Sequence, residues 1–210
     1  MQARLLYVMD PMCSWCWGFA PVIESLAEQA AAAGVPLQLV VGGLRRDRIA
    51  IDAAARVRYL GYWQAVNAST GQLFNFADGL PEGLVYDTEP ACRALVTARE
   101  LAPDLAWPLT RLIQQAFYTE GVDVTQAGVL VQLAEQAGIP RIEFAEAFDS
   151  PAMHAATAAD FTWVQDLGIA GFPTLLAERE GQLALLTNGY QPLETLAPLL
   201  GRWLERATHG

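Results

Sequence analysis

The sequence predicts an α/β domain: a mixed four-stranded sheet with flanking helices, opened by a large all-helical insertion. Three observations predict it. Two apolar, strand-like runs, at residues 5–9 and 36–41, lie on either side of a helical segment near the start of the chain. Strand chemistry then disappears over residues 44–167, where the apolar spacing is helical. It returns only at residues 173–177 and 182–187, followed by one last helix. The block therefore returns to the sheet it left, as an insertion and not an appended domain. The division that follows is 1–43 and 168–210 for the sheet-bearing part, and 44–167 for the insertion.

Each element has its own local reason. Leu5-Leu6-Tyr7-Val8-Met9 is apolar without alternation and reads as a buried strand. The helix over 13–33 carries apolar residues at Phe19, Ile23, Leu26, Ala27 and Ala30, ends at Gly34, and has Pro21 inside it, where a kink is expected. Residues 36–41 form a second strand, parallel to the first by the right-handed crossover rule, and Gly42-Gly43 ends it. In the insertion, helices are predicted over 52–67, 89–101, 104–118, 123–137, 141–148 and 151–167. Residues 71–87 read as a loop broken by Gly79, Pro81 and Gly83. Asp123 or Thr125 is the expected cap of the fourth helix. The last two strands make a hairpin about the turn at 178–181, and Pro192 opens the final helix through 206, with Pro198 inside it.

The chain has 210 residues, is 53% hydrophobic and carries a formal charge of -10. It can build a core, and it concentrates no basic surface for a nucleic acid. It contains no lysine, which removes P-loop phosphate binding and Schiff-base chemistry together. No apolar run approaches membrane-spanning length, and with the first strand this near the start no secretion signal is expected. A cytoplasmic location is expected, with neither nucleic acid nor membrane as partner.

The chemistry concentrates in Asp10-Pro11-Met12-Cys13-Ser14-Trp15-Cys16-Trp17-Gly18-Phe19. The Cys-x-x-Cys pair sits where a strand hands over to a helix. Free N–H groups and the helix dipole there favour the thiolate of Cys13, which is the nucleophilic form. Cys16, one turn further on, is placed to resolve a mixed disulfide. Half a zinc site is a competing reading, but only Cys92, His154 and His209 remain as soft ligands, with no second paired spacing. A structural disulfide is the other. Cys92 reads as a small buried hydrophobe, His154 as surface or packing, and His209 as part of a fraying tail. Asp10 reads as a turn residue. Trp15 reads as substrate-facing, and Trp17 and Phe19 as core.

With these motifs the chain resembles the DsbA family of thioredoxin-fold proteins, in its cytoplasmic, FrnE-like branch. The resemblance rests on Cys13 with Cys16, on Pro21, on Gly168-Ile169-Ala170-Gly171-Phe172-Pro173-Thr174-Leu175, and on Phe117-Tyr118-Thr119-Glu120-Gly121-Val122-Asp123-Val124. It implies a thiol–disulfide oxidoreductase in which Cys13 attacks and Cys16 resolves. It further implies a cis bond before Pro173, with Ser14, Trp15, Phe172 and Pro173 contacting the substrate. Protein or peptide thiols and disulfides are the implied partners. No cofactor is expected, with glutathione as a potential redox partner or co-substrate. Ser14-Trp15 replaces the Pro-His of periplasmic DsbA, so that histidine's support of the thiolate is absent. A glutathione-dependent isomerase or kappa-class transferase is the rival reading, although those relatives usually carry serine where Cys13 stands. A non-catalytic redox sensor is the third.

Overall fold

A computed structural model describes residues 3–208; His209 lies outside them. The chain opens with β1 (Arg4–Met9), α1 (Ser14–Ala32) and β2 (Leu37–Val41). Then come β3 (Arg46–Ala50), α2 (Ala53–Thr70), β4 (Val85–Asp87), α3 (Glu89–Leu101), α4 (Pro103–Thr119), α5 (Ala127–Gln136), α6 (Arg141–Phe148) and α7 (Pro151–Asp166). The last elements are β5 (Thr174–Arg179), β6 (Gln182–Asn188) and α8 (Leu193–Thr208).

The main sheet has the order β2-β1-β5-β6. β1 pairs parallel with β2 and antiparallel with β5, and β5 pairs antiparallel with β6. A central strand covered on both faces has no solvent side, which is why residues 5–9 are apolar without alternation and all buried. The β5–β6 hairpin turns on Glu180 and Gly181, both at positive φ, which matches the right-handed twist of the strands. Asp52 caps α2 by accepting from the Ala55 N–H at 2.7 Å, and Gly71 ends the helix in the left-handed region.

Two expectations need correction. The insertion is not purely helical, because β3 and β4 form a two-stranded ribbon with Arg46 opposite Asp87 and Ala50 opposite Val85. Its first strand is exposed at four of five positions, so neither face carries a core and no apolar alternation marks it. The fourth insertion helix begins at Ala127 rather than near Asp123. Asp123 instead closes a turn, its Oδ1 accepting from the Thr125 N–H at 3.0 Å and from the Thr125 hydroxyl at 2.6 Å.

The insertion is stitched to α1 beside the cysteines. The Trp17 indole donates to the Leu73 carbonyl at 2.8 Å, and the Gln72 amide donates to the Trp17 carbonyl at 2.9 Å. Trp17 stacks on Tyr118 with centroids 6.1 Å apart. Gly18 supplies the room for this approach, since a Cβ there would meet Val66 of α2 at 2.6 Å.

Candidate active site

β1 ends at Met9, and four residues later the chain enters α1 with Cys13 as the N-cap. No side chain caps α1, and no acidic residue occupies its first turn. Nothing therefore competes with Cys13 for the positive end of the helix. All three cysteines are free thiols. The Cys13 sulfur lies 3.7 Å from the carbonyl oxygen of Phe172, whose bond to Pro173 is cis.

The Phe172 ring is held by a feature of β2's far end. It lies where a Cβ on Gly42 would be, 2.0 Å from that position, so only glycine leaves space for it. Pro173 itself is buried, and its carbonyl accepts from the Gly189 N–H at 2.7 Å. It lies outside the lining of the cavity that Phe172 faces.

That cavity, about 340 Å³, opens over Cys13. One wall comes from the sheet end and α1: Cys13, Ser14, Trp15 and Phe172. The other comes from the insertion: Arg45, Tyr59, Tyr62, Trp63 and Tyr86. Trp15 is half-buried and packs against Tyr190 with centroids 6.0 Å apart, whereas Trp17 and Phe19 are buried in the core. Tyr86 braces the active loop by donating its hydroxyl to the Met12 carbonyl at 2.7 Å.

Cys16 is fully buried behind Cys13. Burial pushes its thiol well above the ordinary cysteine value, and its contact with Cys13 raises it further. Cys16 thus keeps its proton at neutral pH until a step demands it. Tyr7 on β1 is fully buried and close enough to feel charge on both sulfurs. Burial first, then those sulfurs, push the phenol far above its usual range.

Asp10 is more than a turn residue. Its Oδ1 accepts from the Met12 N–H at 2.8 Å, which is the turn. Its Oδ2 accepts from the Leu44 N–H at 2.7 Å, the Thr88 hydroxyl at 2.6 Å and the Cys92 thiol at 3.3 Å. One fully buried carboxylate thereby joins the active loop to the start of the insertion and to α3. Burial raises its pKa, and those hydrogen bonds pull the other way. Cys92 is buried as its sequence context implies, but held by a polar partner. His154 is at the surface, 3.6 Å from a Glu89 carboxylate oxygen, and lines no part of the cavity. Among the described residues no group of three or more His, Cys, Asp or Glu could hold a metal ion. No helix there is long and apolar enough to cross a membrane.

The site residues legible in sequence are those of the first wall. The insertion wall was not: Tyr59, Tyr62 and Trp63 fall in the helix expected over 52–67 with no role to set them apart, and Tyr86 fell within an expected loop. The spacing Tyr59-x-x-Tyr62-Trp63 is the signal that was there to find.

The same fold recurs among solved structures. A protein from Nitrosomonas europaea, provisionally named a protein disulfide isomerase, is 40% identical, covers all of both chains and superposes with a TM-score of 0.91. The cytosolic disulfide reductase DsbM from Pseudomonas aeruginosa is 28% identical over 95% of this chain and 98% of its own, with a TM-score of 0.77. DsbM has also been solved with glutathione, with a TM-score of 0.76. No curated protein matches the chain. The DSBA-like thioredoxin domain model matches residues 4–201. A sheet of order β2-β1-β5-β6 with a cysteine pair at the mouth of α1 agrees with that match, and the chain belongs to the family of DSBA-like thioredoxin domains, which are oxidoreductases acting on thiols and disulfides.

Proposed function

We propose that the protein exchanges thiols and disulfides through a Cys13–Cys16 redox pair. The observation that carries the reading is the position of the Cys13 sulfur. Cys13 stands at the N-cap of a helix that no side chain caps, and its sulfur faces the cavity 3.7 Å from the Phe172 carbonyl. As a thiolate, Cys13 attacks one sulfur of a substrate disulfide and expels the other as a thiol, leaving a mixed disulfide. Cys16 then gives up its proton, attacks the Cys13 sulfur and releases the second thiol, closing the Cys13–Cys16 disulfide. The reverse sequence oxidises a dithiol. Phe172 offers its backbone, Ser14 and Trp15 their side chains, to the segment carrying the substrate sulfur. Pro173 acts through the placement of Phe172. In this reading residues 1–43 and 168–210 supply the chemistry and 44–167 the second wall.

The name of one relative, the disulfide reductase DsbM, supports work in the reducing direction, and its cytosolic setting supports a cytoplasmic location here. A glutathione-using reaction is the second reading, favoured by the DsbM–glutathione structure. Equilibration with glutathione buffers, followed by mass spectrometry of alkylated protein, tests the first. The Cys13–Cys16 disulfide should form and break reversibly. A pair that never oxidises, or that stops at a stable glutathione adduct, removes the dithiol mechanism.

A further inference from the structure

The cavity lining carries one charged side chain, Arg45. Its guanidinium carbon lies 4.6 Å from the ring centroid of Tyr59 and 5.3 Å from that of Tyr86. Aromatic rings at these distances attract a cation through their faces without using its N–H donors. The neighbouring Arg46 forms an ion pair with Asp87 at 3.0 Å, whereas the Arg45 guanidinium makes neither an ion pair nor a hydrogen bond among the described residues, its backbone alone meeting Thr88. No carboxylate lines the cavity, and the nearby Asp10 is buried with its oxygens already engaged. A chain with a formal charge of -10 thus places one unpaired cation beside its candidate nucleophile. Guanidinium is the side chain suited to a two-point grip on a carboxylate. The cavity, at about 340 Å³, is at the small end for a ligand site.

Building on the dithiol reading above, we infer that this cavity selects small disulfides carrying a carboxylate, which Arg45 binds while Cys13 attacks the sulfur. The overall step is balanced. One substrate disulfide gains two electrons and becomes two thiols. The Cys13 and Cys16 thiols lose two electrons and their two protons and become one disulfide.

The test uses the reduced full-length protein and three small symmetric disulfides: dithiodipropionate, hydroxyethyl disulfide and cystamine, bearing carboxylates, no charge and ammonium groups respectively. Each oxidation rate is divided by the rate of the same disulfide with a free small dithiol, which removes intrinsic reactivity. The wild type should prefer dithiodipropionate over hydroxyethyl disulfide by roughly tenfold, with cystamine slowest. Added salt should shrink that ratio. Arg45→Gln should bring the ratio close to one and Arg45→Lys should retain part of it. Because each ratio is taken within one protein, an altered fold or absolute rate does not disguise the result. A flat ratio in the wild type, or an unchanged one in Arg45→Gln, overturns charge selection and leaves the dithiol reading standing. Failure of all three disulfides to oxidise the wild type faster than Cys13→Ser overturns both.

Discussion

The two walls of the cavity differ in kind. The wall from β1, α1 and the Phe172 loop presents a sulfur, a hydroxyl and a backbone carbonyl, held by a strand end and a helix end. The wall from the insertion presents three tyrosines, a tryptophan and an arginine, and none of them reacts with a disulfide. In the proposed reading, chemistry sits on the wall whose backbone is fixed by the sheet, and charge selection on the wall that the insertion supplies. Asp10 and Tyr86 are the fasteners between them, through Leu44, Thr88 and Met12.

The largest effect should come from the first wall. Cys13→Ser should abolish exchange with every substrate, and Cys16→Ser should accumulate a mixed disulfide detectable by mass spectrometry. Cys92→Ser should do neither, since its thiol faces Asp10 and not the cavity. Turnover that stops in Cys92→Ser would blur the distinction between the walls.

The fasteners should matter next. Asp10→Asn replaces an acceptor facing several donors by a group that is itself half donor, at a cost of roughly 2–3 kcal/mol in urea unfolding. It should also change the pH dependence. The folded-state pKa of Asp10 is raised, so the folded protein holds this proton more tightly than the unfolded chain does. The wild type therefore loses stability as pH climbs from about 3.8, the ordinary value, through the raised one, and Asp10→Asn should lack that portion of the slope.

Gly42→Ala asks whether the Phe172 ring can move. The added methyl overlaps the ring, so a loss of about 1–3 kcal/mol is expected, together with slower exchange. Phe172→Leu in the same chain should recover part of the stability, which a double-mutant cycle would measure. Tyr86→Phe should have the smallest effect, about 1 kcal/mol, because it removes one hydrogen bond to Met12 and keeps the ring beneath Arg45. A larger loss of turnover than of stability would show that the second wall positions Cys13 as well as the substrate.

What sequence reveals divides along the same line. β1, the cysteine pair and the Phe172–Pro173 loop announce themselves locally: an unbroken apolar run, a fixed spacing, a glycine-flanked proline. The β3–β4 ribbon does not, because its partners are some forty residues apart in sequence and both faces of β3 meet solvent, so no period-two pattern is required. Asp10 was half legible. Its turn spans two residues, while its bonds to Thr88 and Cys92 span 78 and 82. Arg45, Tyr59 and Tyr86 lie on three separate segments, and nothing in a linear pattern says that they converge.

The contact between Cys13 and Phe172 joins residues 159 positions apart. A ribosome adding about 5–20 residues per second takes on the order of ten to thirty seconds to make that stretch. Throughout that interval the β1–α1–β2 unit carries both thiols, while the strand that must lie beside β1 has not been synthesised. The cysteines enter the cell's redox pool long before the loop that faces them exists. On the proposed reading, a nascent chain is therefore open to any small disulfide, without the choice inferred for the finished cavity.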